Sequence, residues 1–253
     1  MIYGLYLSAS GVLTNSYRQD VIANNIANSE TIGFKKDLAL LQARPTAAQE
    51  LGLYNQTNSM LEPVGGGLLA SDTVVDPSPG EIEPTGDNLD VALQGRGFLA
   101  INQNGQTRLT RNGEMLVNRN GQLAMANNPN DTVLDYRQKE IGLSTQYPVT
   151  ISADGTITQN GKAVDRLGLF TIGDPTHLQK MGSTLLGIPA NGGALQAATP
   201  VVRSGFIERS NVDPALELTE LMDTQRQLEA NANMMHIQDE TLDKLVNDVG
   251  RVS

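Results

Sequence analysis

The chain carries two histidines, His177 and His236, and no cysteine. An imidazole metal or proton-transfer site needs partners at defined spacing, such as a second histidine four residues on along a helix. His177 follows Asp174-Pro175 in a loop-like stretch, and His236 adjoins an apolar helical position, so neither reads as part of a site. The lack of cysteine removes disulfides, thiolate nucleophiles and zinc–sulfur centres. "GRGFLA", with Gly95 and Gly97, has neither the third glycine nor the Lys-Ser/Thr of a phosphate loop, and fits a strand entry instead. Ser204 in "RSGF" does not match the nucleophile-elbow frame. Asp154, Asp165 and Asp174 are carboxylates available for acid–base work on a polysaccharide, but no aromatic sugar platform lies near them. Asn104-Gly105, Asn112-Gly113, Asn120-Gly121, Asp154-Gly155 and Asn160-Gly161 hold too few carboxylates for calcium loops. They are the dipeptides that two-residue hairpin turns require. No catalytic, metal or cofactor site is expected.

Composition narrows the role further. A formal charge of −10 leaves no basic stripe to neutralise phosphates, so nucleic acid is not an expected partner. Aromatics at 4% and the absence of tryptophan are poor material for an apolar small-molecule pocket. No run of about 18 apolar residues is present to span a membrane. "MIYGLYLSASGVL" has no Lys or Arg ahead of its apolar residues and makes a poor cleavable secretory signal. Export, if it occurs, is expected by a route that does not cleave such a signal.

With chemistry excluded, the elements at the two chain ends carry the information. At alternating steps of three and four, positions 2, 5, 9, 12, 16, 19, 23 and 26 read Ile, Leu, Ala, Val, Ser, Gln, Ala, Ile. A second seam runs through Leu218, Leu221, Gln225, Leu228, Ala232, Met235, Asp239, Leu242, Val246 and Val249. Such spacing is a coiled-coil pattern. Asp213-Pro214 supplies an N-cap and a first helical residue, and Gly250 a stop. Residues 208–253 hold four basic and ten acidic residues, net −6, against four and three in residues 1–44, net +1. The expected class is α+β: N- and C-terminal helices pairing as a coiled-coil-like assembly domain, with a central, mostly antiparallel β domain. The expected divisions are an N-terminal helical segment at 1–43, an extended or disordered linker at 44–88, a β domain at 89–206 and a C-terminal helix at 207–253.

One stretch resists a purely local account. "DVIANNIANSETIGFKK" ends a helix with Asn24, Asn25 and Asn28, although asparagine is a mediocre helix former. This stretch resembles the N-terminal motif of the bacterial flagellar rod, hook and hook-associated axial proteins, through Ala23, Asn24, Asn25, Ile26, Ala27, Asn28, Thr31, Gly33, Phe34 and Lys35. "SGFIERSNVDPALELTELMDTQRQLEAN" resembles the C-terminal motif of that family, and "LDVALQGRGFLAI" and "LTRNGEMLVNRNGQLAM" its middle segment. Residues 44–88 and about 125–200 match loosely.

The resemblance implies a non-enzymatic building block of the basal body, exported by the flagellar type III apparatus without signal cleavage. Its partners would be copies of itself and other rod and hook proteins, with no nucleic acid and no membrane insertion. The terminal helices would pack as the inner layer of a hollow shaft, with the β domain outside. The modest middle favours a rod protein over the longer hook subunit, and "DLALLQARP" after the Gly-Phe-Lys motif favours the proximal-rod paralogue. A hook-type subunit and a rod-associated protein that binds or cleaves cell wall are the alternatives. The asparagines would fix register between neighbouring subunits, as a lone polar residue does in a coiled coil. Gly33 would take a positive φ that ends the helix, and Phe34 would anchor the turn.

Overall fold

The computed structural model describes residues 2–45, 67–174, 178–182, 184–188 and 194–249, so that His177 and Gly250 lie outside the described residues. The chain is α+β, with its N- and C-terminal helices packing together and a central antiparallel β region. It divides into a helical unit, residues 1–26, 38–73 and 214–253, and a β unit, residues 27–37 and 74–213. Of the stretch expected as a linker, the strand Leu68–Ala70 pairs with Leu41–Ala43, and Ile82–Pro84 pairs with Phe206–Glu208.

In the helical unit, α1 spans Ile2–Ala27 and α2 spans Pro214–Val249. At 1.5 Å per residue, α2 is about 54 Å long. It starts at the Asp213-Pro214 signal, and Glu217 in its first turn suits the positive end of the helix dipole. α1 contains Gly4, Ser8, Ser10, Gly11, Thr14, Asn15 and Ser16, all weak helix formers, so packing rather than propensity must hold it. One of its faces meets the paired strands Leu41–Ala43 and Leu68–Ala70. There the Ser10 hydroxyl donates to the Leu68 carbonyl at 2.6 Å, and the Tyr17 hydroxyl to the Ser71 carbonyl at 2.8 Å.

The β unit is built around the strand Phe98–Gln103. This strand pairs with Gln106–Thr110, Thr132–Val133 and Leu169–Thr171 in a nine-stranded antiparallel sheet. Leu99, Ile101, Leu123, Ile141 and Ile157 are fully buried in its main apolar cluster. The Asn-Gly turns divide by geometry. Asn104-Gly105 (φ 52° and 81°) and Asn160-Gly161 (φ 50° and 73°) are positive at both residues, as a two-residue type I′ hairpin requires. At Asn120-Gly121 and Asp154-Gly155 only the glycine is positive. Asn112-Gly113 is not a hairpin turn: a Cβ at 113 would lie 1.6 Å from the Val91 carbonyl oxygen, so here glycine permits a close backbone crossing.

Candidate functional site

The stretch after α1 is wired into the β unit through buried charge. Lys35 is 2% exposed, and its Nζ donates to Glu208 Oε1 at 2.5 Å and to the Ser78 carbonyl at 2.7 Å. Glu208, fully buried, receives Arg111 Nη1 on its other oxygen at 2.9 Å and the Gly80 amide on Oε1 at 3.1 Å. Arg111 also donates from Nη1 to the Leu93 carbonyl at 3.0 Å and from Nη2 to the Gly95 carbonyl at 2.6 Å, and lies over the Phe98 ring. Burial pushes the Lys35 ammonium below the usual lysine range, against the pull of Glu208. Both carboxylate oxygens are engaged and both cations are enclosed, so the cluster has no group placed to act on a substrate. Its chemistry is cross-linking: "GFKK", "LTRNG" and "GFIERS" meet on one carboxylate.

Neighbouring contacts extend this clamp. Gly33 has φ 69°, the positive value expected, and its amide donates to the Glu208 carbonyl at 2.7 Å. It does not end the helix, which stops at Ala27; the chain turns at Asn28, whose carbonyl accepts from the Thr31 amide. Gly33 instead lets the chain touch the 111–112 backbone, where a Cβ would lie 2.2 Å from the Asn112 nitrogen. Phe34 is fully buried, with Lys180 Nζ 3.6 Å from its ring centre and paired to Asp37 at 2.8 Å. Burial likewise lowers the Lys180 ammonium, opposed by Asp37. The Lys36 amide donates to the Asn211 side chain at 2.8 Å.

In the helical unit α1 and α2 run antiparallel. A Cβ on Gly4 would lie 2.9 Å from Gln238 Nε2, and one on Gly11 2.6 Å from Asn231 Nδ2. Gln19 Nε2 donates to Gln225 Oε1 at 2.8 Å, and Asn25 Nδ2 to Glu217 Oε2 at 3.2 Å. The buried or half-buried side of α2 runs through Glu217, Leu221, Thr224, Leu228, Asn231, Met235, Gln238 and Leu242. Leu221, Leu228, Met235 and Leu242 of the expected seam thus face α1, whereas Leu218 and Gln225 are exposed. The alternate layer sits one residue earlier than the apolar period implies, and it is polar. In the N-terminal motif Asn25 is 2% exposed, Asn24 is exposed, and Ile26 and Asn28 are half-buried. The motif is also divided: Asn24, Asn25 and Ile26 belong to the helical unit, and Asn28, Gly33 and Phe34 to the β unit. Periodicity alone missed Arg111, which directly follows the strand Gln106–Thr110, and Glu208, which closes the strand Phe206–Glu208.

Large apolar side chains lie outside the helix pair. Leu13 is 72% exposed, and Leu216, Leu218, Met222, Met234 and Ile237 are about half exposed or more. Among the described residues no helix is long and apolar enough to cross a membrane, and no group of three or more His, Asp or Glu could hold a metal ion.

Known families match these same regions. The model "Flagella basal body rod protein" matches residues 5–35, "Flagellar hook protein FlgE/F/G D1 domain" residues 92–159, and "Flagellar basal body rod FlgEFG protein C-terminal" residues 203–248. The chain is 31% identical to the flagellar basal-body rod protein FlgF of Caulobacter vibrioides over 98% of both chains. It is equally similar to FlgG of Bacillus subtilis, at 31% over 98% of this chain and 99% of that one. The flagellar hook-basal body complex protein FlhP of Bacillus subtilis is 29% identical over 96% and 98%. With matched regions at both ends and in the middle, and full-length relatives above 30% identity, the chain belongs to the flagellar basal-body rod protein family.

Proposed function

We propose that the chain is a structural subunit of the flagellar basal-body rod, exported without signal cleavage and polymerised through α1 and α2. The observation that carries this reading is the surface of the helical unit. Ile237, Leu218, Met222 and Met234 of α2 and Leu13 of α1 present apolar area to solvent. Several large apolar side chains left exposed on one helix pair favour a protein interface, and helix pairs complete such faces against further helices. The partners are copies of this chain and other rod and hook subunits, in coiled-coil-like contact, reached by way of the flagellar type III export apparatus. Asn24 and Leu218, both exposed, are placed to contact a neighbour, while Leu221, Leu228, Met235 and Leu242 hold the pair itself. The role is scaffolding rather than catalysis, with the proximal part of the rod as the favoured position.

Replacing exposed Ile237 with Asp puts a charge where a helix–helix core would form, at a cost of several kcal/mol once buried, yet leaves the single chain folded. Cells carrying Ile237→Asp should produce the subunit but stop at an incomplete rod, without hooks or swarming. Wild-type swarming and hook number in that strain would overturn the reading.

A further inference from the structure

In the β unit, the fold supplies Asp165 and Arg166 with an aromatic neighbour remote in sequence. The bridge between Asp135 and Leu167 is antiparallel, which sets Tyr136 alongside Arg166. Tyr136 is 50% exposed, and the Arg137 guanidinium lies 4.8 Å from the centre of its ring. Tyr136 and Arg166 together line two adjoining grooves. One, of about 350 Å³, continues along Thr156, Val164 and Asp165, and the other, of about 420 Å³, along Phe170 and Ala198. We propose that this ridge and its grooves form a binding strip for a linear saccharide chain, with Tyr136 as the stacking platform and Arg137, Arg166 and Asp165 as its hydrogen-bonding partners.

The loop that carries Tyr136 is built to hold it outward. Asp135 is buried, and its Oδ1 accepts the Arg137 and Lys139 amides at 2.8 and 2.7 Å. Its own amide donates to the Lys139 carbonyl at 2.7 Å. Gln138 is held at φ 63°, a left-handed conformation that a residue with a Cβ adopts only at a cost. Strain held in place by a buried carboxylate keeps the loop in one arrangement, so a ligand does not have to order it. Arg166 is fixed as well, its Nε donating to the Asp154 carbonyl at 2.9 Å. A pyranose ring offers an apolar C–H face to an aromatic side chain and a girdle of hydroxyls to side chains that donate and accept. Two grooves meeting at one ridge suit a chain of such rings better than a single one. Asp135 is committed to its loop, and both oxygens of Asp154 accept from Thr156, from its amide at 3.1 Å and its hydroxyl at 2.7 Å. Asp165 therefore lacks the second carboxyl group that glycoside hydrolysis requires, and the strip binds without cleaving. This inference concerns the β unit alone and does not depend on polymerisation.

Chitotetraose, a linear β-linked oligosaccharide, probes the strip directly in the full chain. In an NMR amide titration it should shift the backbone signals of Arg137, Lys139 and Arg166, with a dissociation constant of about 1 mM, as a shallow open groove allows. Tyr136→Phe keeps the ring and should bind as tightly as the unaltered chain. Tyr136→Ala should bind about tenfold more weakly, and Arg166→Ala several-fold more weakly. Tyr136 is exposed, so its loss should leave the fold in place, and unchanged amide signals elsewhere in the sheet check this. An absence of shifts at high saccharide concentration, shifts that persist equally in Tyr136→Ala, or shifts confined to residues outside the strip would each overturn the proposal. Silence toward the saccharide together with loss of hooks in Tyr136→Ala cells would overturn it too, and would give this face to a neighbouring protein.

Discussion

The two units differ in the balance of what they bury. The β unit encloses Leu99, Ile101, Leu123 and Ile157, and seals Lys35, Arg111 and Glu208 among them with partners on every charge. The helical unit encloses Val21 and Ile22 but also Ser8, Thr14, Asn15, Asn25, Glu217 and Thr224, and leaves Leu13, Leu216, Leu218, Met222 and Ile237 outside. A region whose apolar area is inside and whose buried charges are paired has completed its folding free energy within the chain. A region that hides polar seams and shows leucines keeps much of its hydrophobic free energy for a second association. The N-terminal motif sits on this contrast: Asn25 donates to Glu217 within the helical unit, and Lys35 pairs with Glu208 within the β unit.

The largest effect expected from this contrast is at Glu208. Glu208→Ala leaves Lys35 and Arg111 buried without their counter-charge, and should lower the stability of the β unit by about 3–5 kcal/mol. Urea denaturation followed by the sheet signal measures it. A loss under about 1 kcal/mol, the value of an exposed pair, would erase the difference between the units. Next is Gly33→Ala, which forces a positive φ on a residue with a Cβ against the Asn112 backbone and should cost about 2 kcal/mol or more. The same denaturation experiment reads it, and a neutral result would mean the clamp yields at that point.

The smallest effect is a pH dependence. The folded-state ammonium of Lys35 titrates below its ordinary 10.5 because burial outweighs Glu208. In the window just below 10.5 the unfolded chain therefore binds more protons than the folded one, and stability from this group rises with pH. Lys35→Met lacks that term, so the stability difference between the unaltered chain and this variant should grow across the window. A flat difference would mean that Glu208 holds the ammonium at its ordinary value, and that the cluster is less enclosed than its geometry.

What could be read before folding was local. Asn104-Gly105 and Asn160-Gly161 announce hairpins because positive φ at two successive positions is a demand that few dipeptides meet. Asp213-Pro214 announces α2 for a similar reason. The identical dipeptide Asn112-Gly113 misleads, since its glycine serves a contact with Val91, a residue remote in sequence. The seam of α2 was half legible. Leu221, Leu228, Met235 and Leu242 follow the apolar period, but the layer at Glu217, Thr224, Asn231 and Gln238 is polar, and a search for apolar periodicity passes over it.

By itself, then, the sequence determined the class of elements, the long acidic C-terminal helix, the lack of thiol chemistry and the family, because these depend on residue types and short spacings. Which polar residues go inside was decided by tertiary structure alone. Glu208 meets Lys35 across 173 positions and Arg111 across 97, and Asn25 meets Glu217 across 192. At such separations no propensity or period links the partners. Burying a charge or an amide is tolerable only where another segment arrives to satisfy it, and that arrival is a fact of the fold.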